Sequence, residues 1–98
     1  MTIDEIKNKL SEIETKRYLN NNAIVHISIA GSYARKNNNE TSDIDLIVEV
    51  DESTLTTNYF TLPRYLESRL WKHIDLIDKD YINPHIKNSL LSHTVSVW

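Results

Sequence analysis

Ala23-Ile24-Val25-His26-Ile27-Ser28-Ile29-Ala30, then Gly31-Ser32, a spacer over residues 33–42, and Asp43-Ile44-Asp45-Leu46-Ile47-Val48-Glu49-Val50 form the stretch on which the reading of the fold turns. Alternation within the first block predicts a strand over Ala23 to Ala30, with Val25, Ile27 and Ile29 on one face and Ile24, His26 and Ser28 on the other. The second block predicts another strand. Ile44, Leu46, Val48 and Val50 share one face, and Asp43, Asp45, Ile47 and Glu49 share the other. Between them stands the chain's one glycine. Tyr33 to Lys36 fits a short helical turn, and Asn37-Asn38-Asn39-Glu40 a polar loop.

Toward the N-terminus, Thr2 and Glu5 have the spacing of a capping box. Ile3, Ile6, Leu10 and Ile13 recur as one apolar stripe, which predicts a helix ending near Arg17. Asn20-Asn21-Asn22 reads as a turn. Toward the C-terminus, residues 51–57 form a polar connection, and Leu62, Leu66 and Leu70 predict a helix with Pro63 in its first turn. Lys72 to Ile77 reads as a third strand with His73, Asp75 and Ile77 on one face. Asn83-Pro84 marks the start of a last helix lined by Ile86, Leu90 and Leu91, and the tail Thr94 to Trp98 is apolar enough to dock. The expected architecture is α/β: a small mixed sheet of about three to four strands, helices mainly on one face, in a single domain over residues 1–98.

Composition narrows the function. With 14 acidic against 11 basic residues the net charge is -3, so no basic excess drives direct nucleic-acid binding. The absence of cysteine excludes disulfides, zinc-thiolate sites and a thiol nucleophile. The acidic, amphipathic opening residues do not read as a signal peptide, and no apolar run suits a membrane span. A cytoplasmic location is expected.

The chemistry gathers around Gly31-Ser32 and Asp43-Ile44-Asp45. Residues two apart on a strand face the same side about 6.5–7 Å apart. Asp43 and Asp45 thus set two like charges together, an arrangement best tolerated with a cation between them. Hard oxygen ligands of this kind suit Mg²⁺ or Mn²⁺ bridged to substrate phosphates. Gly31 lets the backbone turn sharply or approach a ligand closely, and the amides after it, with the Ser32 hydroxyl, suit a phosphate. Asp75, set in an apolar strand, is costly without a partner and fits a third carboxylate, as metal ligand or general base, if its strand neighbours the second. Arg35 and Lys36 fit either triphosphate contacts or solvated charges. His26 and His73 lie near the acids but read foremost as structural histidines, and His85 and His93 show no ligand spacing.

Gly31-Ser32-Tyr33-Ala34-Arg35 and Ser42-Asp43-Ile44-Asp45-Leu46-Ile47-Val48 closely resemble the signature of the nucleotidyltransferase superfamily with the DNA-polymerase-beta-like fold, and His73-Ile74-Asp75-Leu76-Ile77 resembles its third-carboxylate strand. The length is similar to that of the minimal nucleotidyltransferases, the MntA-type antitoxins paired with HEPN-domain toxins. The resemblance implies that Gly31, Ser32 and Arg35 bind the nucleotide and that Asp43, Asp45 and Asp75 hold the catalytic metals. It further implies ATP as donor, and transfer of AMP to a tyrosine of a partner HEPN ribonuclease toxin. Two positions depart from the family's pattern: Lys36 and Trp71 stand where it usually or often has glycine. A non-catalytic antitoxin acting by complex formation, and a small-molecule nucleotidyltransferase, are the competing expectations.

Overall fold

A computed structural model describes all residues 1–98. The chain runs α1 (Ile3–Leu10), α2 (Ile13–Asn21), β1 (Ile24–Ala30), α3 (Gly31–Ala34), β2 (Ile44–Val50), α4 (Leu62–Leu70), β3 (Ile74–Asp78), α5 (Pro84–Leu91) and β4 (Val95–Ser96), with short 3-10 turns before α4 and after β3. The sheet order is β3-β2-β1-β4: β1 runs antiparallel to β2 and β4, and β2 parallel to β3 across the α4 crossover. This is the expected mixed α/β sheet, with the tail as its fourth strand.

The Thr2–Glu5 capping box forms reciprocally, each backbone N–H donating to the other side chain at 3.2 Å. The single N-terminal helix does not. It breaks at Ser11–Glu12, and Ile13, expected on the apolar stripe, is 76% exposed. The reason is angular. At about 100° per residue, Leu19 lies about 180° around a continuous helix from Leu10, so a straight rod could not bury both. Re-aiming the chain as α2 lets Leu10 and Leu19 reach the same core.

A second correction falls in β1. Ile24 pairs with Val50 and His26 with Glu49, so Val25 is the extra residue of a bulge. The alternation slips there: Ile24, Ile27 and Ile29 point into the core while Val25 is exposed. In the Asn turn the left-handed backbone falls on Ala23 (φ 75°) rather than on an asparagine. Asn22 is buried there instead, its Nδ2 donating to the Tyr18 carbonyl and its Oδ1 accepting from Thr56 Oγ1.

One sheet face, carrying Ile24, Ile27, Ile29, Ile44, Leu46, Val48 and Ile74, packs on Ile6 and Leu10 of α1, Leu19 of α2, and Leu62, Leu66 and Leu70 of α4. The opposite face is thinner, with Ala30, Ile47 and Ile82 backed by Ile77, Leu90 and Leu91. Ile86, expected on the buried stripe of the last helix, is 53% exposed. The tail docks on its own chain: Val97 N–H donates to the Ile27 carbonyl, and Trp98 Nε1 donates to the Leu10 carbonyl, both at 2.9 Å. No helix is long and apolar enough to cross a membrane.

Candidate active site

Pairing register brings the signature residues to one end of the thinner face. Ala30 at the end of β1 lies opposite Asp45, and Asp45 lies beside Asp75 in the parallel pair. Adjacent strands are about 4.8 Å apart, so two acids separated by thirty positions become neighbours. Asp43 precedes β2, where the Ile44 N–H donates to the His73 carbonyl at 3.0 Å and ties the starts of β2 and β3 together. The loop leading there folds around Asn39, whose Oδ1 accepts from the Thr41 N–H and hydroxyl while its own N–H donates to Ser42 Oγ. Lys72 Nζ clamps the same loop through the Glu40 carbonyl at 2.7 Å.

Gly31 is required twice over. Its φ of +65° is left-handed, and a Cβ added there would lie 1.9 Å from Asp45 Oδ2 and 2.9 Å from Asp45 Cγ. Where the sequence suggests a sharp turn or the approach of a ligand, the group lying against Gly31 is the Asp45 carboxylate itself. Helix α3 begins at Gly31 rather than at Tyr33 and is a single turn; Ser32 within it is half-buried, and Arg35 at its C-cap is exposed.

The acids differ in setting. Asp45 is half-buried, whereas Asp43 and Asp75 are exposed. The expectation of Asp75 as an acid costly inside an apolar strand is therefore corrected: it projects from the thinly covered face, opposite buried Ile74, and its carboxylate meets water. Burial pushes the Asp45 carboxyl above its ordinary range, helped by a hydrogen bond to Asp75 and by the charges of Asp75 and Asp43, with Arg35 opposing. Such a group holds its negative charge at a cost that a cation relieves. The donor set, hard carboxylate oxygens converging on one surface, fits Mg²⁺ or Mn²⁺.

His73 does more than the structural role expected of it. Its Nδ1 lies 3.1 Å from Glu67 Oε2 and its Nε2 3.2 Å from Asp75 Oδ1. Glu67 is held in turn by the Ile74 N–H at 3.1 Å. Burial opposes charge on His73, but Asp43, Asp75 and Glu67 outweigh it and raise the imidazole above its ordinary value. Asp43, His73 and Asp75 each present a ligand atom within 4.8 Å of the others. The signal was the His-x-Asp spacing at a strand start, which places both side chains on one face; Glu67, on another element, gave none. His26 goes elsewhere. It lines a cavity of about 290 Å³ with Ser28, Glu49, Lys79 and Thr94, and its buried Nδ1 has no partner in the chain.

Lys36 and Trp71 both adopt left-handed backbone, with φ of 62° and 60°. Trp71 caps the C-terminus of α4 and is 88% exposed, so the departure from glycine there adds an indole to the surface and leaves the turn in place.

A four-stranded mixed sheet with a glycine-serine turn and carboxylates on adjacent strand starts defines a nucleotidyltransferase-type domain. Residues 6–98 match the family described as Polymerase beta, Nucleotidyltransferase, and the chain belongs to that family. It is 37% identical over 97 residues to MJ0435 of Methanocaldococcus jannaschii, provisionally named a protein adenylyltransferase, with 99% of each chain covered. Among solved structures it superposes on a toxin–antitoxin complex with AMP-PNP at a TM-score of 0.72 and 24% identity, over 94% of this chain and 72% of that one. It also superposes on the complex of the tri-AMPylated Shewanella oneidensis HEPN toxin with MNT antitoxin, at a TM-score of 0.66 and 22% identity, over 97% of this chain and 71% of that one. At those identities the two structures bear on the fold.

Proposed function

We propose that the protein is a single minimal nucleotidyltransferase domain over residues 1–98 that transfers AMP from ATP to a tyrosine hydroxyl of a partner HEPN-type toxin, silencing it. The observation that carries this is the meeting of Asp43, Asp45 and Asp75 beside Gly31 at one end of the sheet. The likeness to MJ0435 and the toxin–antitoxin contexts of its structural neighbours support the choice of acceptor class.

Asp43, Asp45 and Asp75 would hold one or two divalent ions, which supply charge neutralisation at the phosphates when bound. The Gly31-Ser32 turn and Arg35 hold the nucleotide. The acceptor oxygen attacks the α-phosphorus, the bond from that phosphorus to the bridging oxygen breaks, and diphosphate leaves in line. The hydroxyl proton is lost to water or to Asp75, whose exposure leaves it open to an incoming partner. Positioning and electrostatics do most of the catalytic work in such a step.

The test is intact-mass spectrometry of a co-expressed HEPN partner incubated with ATP and Mg²⁺, against the Asp43→Asn/Asp45→Asn variant. Added AMP-sized mass on the partner that disappears in the variant is expected. A stable complex with no added mass would replace this reading with neutralisation by occlusion.

A further inference from the structure

His73 stands between two carboxylates in a way that its neutral form cannot satisfy. With Nδ1–H donating to Glu67 Oε2 at 3.1 Å, Nε2 presents a lone pair toward Asp75 Oδ1 at 3.2 Å, acceptor against acceptor. The contact becomes favourable when a cation or a proton lies between those atoms. Asp43 lies in the same group, all three ligand atoms being within 4.8 Å of one another. A first-row divalent ion with bonds of about 2.1 Å spans adjacent ligand atoms about 3 Å apart, so small side-chain movements close the set. The Glu67–His73 contact also has the form proteins use to orient a metal-bound imidazole: a carboxylate accepts from one ring nitrogen and leaves the other aimed at the ion. Glu67 is itself fixed by the Ile74 N–H, so the orientation is built into the α4–β3 connection.

Resting on the reading of this site as a metal-dependent nucleotidyl site, we propose that His73 Nε2 is a ligand, with Asp43 and Asp75, to a divalent cation, and that it tilts the site toward Mn²⁺ and later first-row ions over Mg²⁺. Imidazole nitrogen binds these ions better than it binds Mg²⁺, which favours oxygen. The alternative source of positive charge is a proton on His73, which predicts no nitrogen–metal bond.

The experiment measures metal binding directly, without nucleotide or partner. Mn²⁺ and Mg²⁺ are titrated calorimetrically into the full chain, and the Mn²⁺-loaded protein is read by electron spin echo for nitrogen coupling. Wild type should bind Mn²⁺ more tightly than Mg²⁺ and show an imidazole nitrogen coupling. In His73→Gln the coupling should vanish and Mn²⁺ affinity fall about tenfold or more, while Mg²⁺ affinity stays within about twofold. Glu67→Gln, which keeps the imidazole and loosens its orientation, should retain the coupling with a smaller loss. Mn²⁺ binding without nitrogen coupling, or equal losses for both ions in His73→Gln, overturns the role of His73 and leaves the carboxylate site standing. Failure of either ion to bind, with Asp43→Asn/Asp45→Asn indistinguishable from wild type, overturns both readings.

Discussion

Replacing Gly31 with alanine should expose a coupling between the backbone turn and the candidate site. Two costs arise. Alanine at φ +65° pays about 1–2 kcal/mol for left-handed backbone. Its Cβ, 1.9 Å from Asp45 Oδ2, also forces that carboxylate out of its place, at about 0.5–1.5 kcal/mol for an off-rotamer side chain. Lower entropy of the unfolded chain returns about 0.5 kcal/mol. The net loss expected is about 1–3 kcal/mol in urea unfolding followed by tryptophan fluorescence. In an Asp45→Ala background the colliding oxygen is gone and only the β carbon remains, at 3.2 Å. There the same substitution should cost about 0.5–1.5 kcal/mol, so a double-mutant cycle should return a coupling of about 0.5–1.5 kcal/mol. Equal costs in the two backgrounds would mean that the Asp45 carboxylate does not occupy the space the glycine leaves, and that the turn and the site are uncoupled.

Further outcomes follow from the same contacts. Because the folded-state pKa of Asp45 is raised above its ordinary 3.8, its contribution to stability is full below that value and is lost as pH rises through the folded pKa. Asp45→Asn, compared with wild type by urea unfolding in a chelator, should therefore gain relative stability from pH 4 to pH 7; a constant difference would remove the strain assigned to that carboxylate. Trp71→Gly should raise stability by about 0.5–1 kcal/mol, since it relieves left-handed backbone at an exposed side chain, and a drop in melting temperature would contradict this. Leu66→Ala, which empties a fully buried position between α4 and the sheet, should cost about 2–5 kcal/mol in the same unfolding assay; a loss below about 1 kcal/mol would mean the helix is not packed there.

The local sequence pattern determined much of this protein. The β1 and β2 blocks alternate because one sheet face must be apolar, the Thr2–Glu5 box starts α1, and Asn83-Pro84 starts α5. Asp43 and Asp45 are grouped by strand period alone, and the lone glycine marks the turn beside them. What the sequence could not supply were the relations between elements. The break at Ser11–Glu12 and the bulge at Val25 arise because the core accepts Leu19 and Ile24 only if the local period slips, and periodicity read along one segment contains no term for the partner surface. Asp75 reaches Asp45 through parallel pairing, and its exposure follows from projecting on the sheet face that the helices cover least, a property of how the layers pack. The contact between His73 and Glu67 depends on how α4 turns into β3, and the crowding of Gly31 by Asp45 depends on the register of β1 against β2. Chain-local chemistry chose the residue types; only tertiary packing, which trades local regularity for buried apolar area, decided which of them meet.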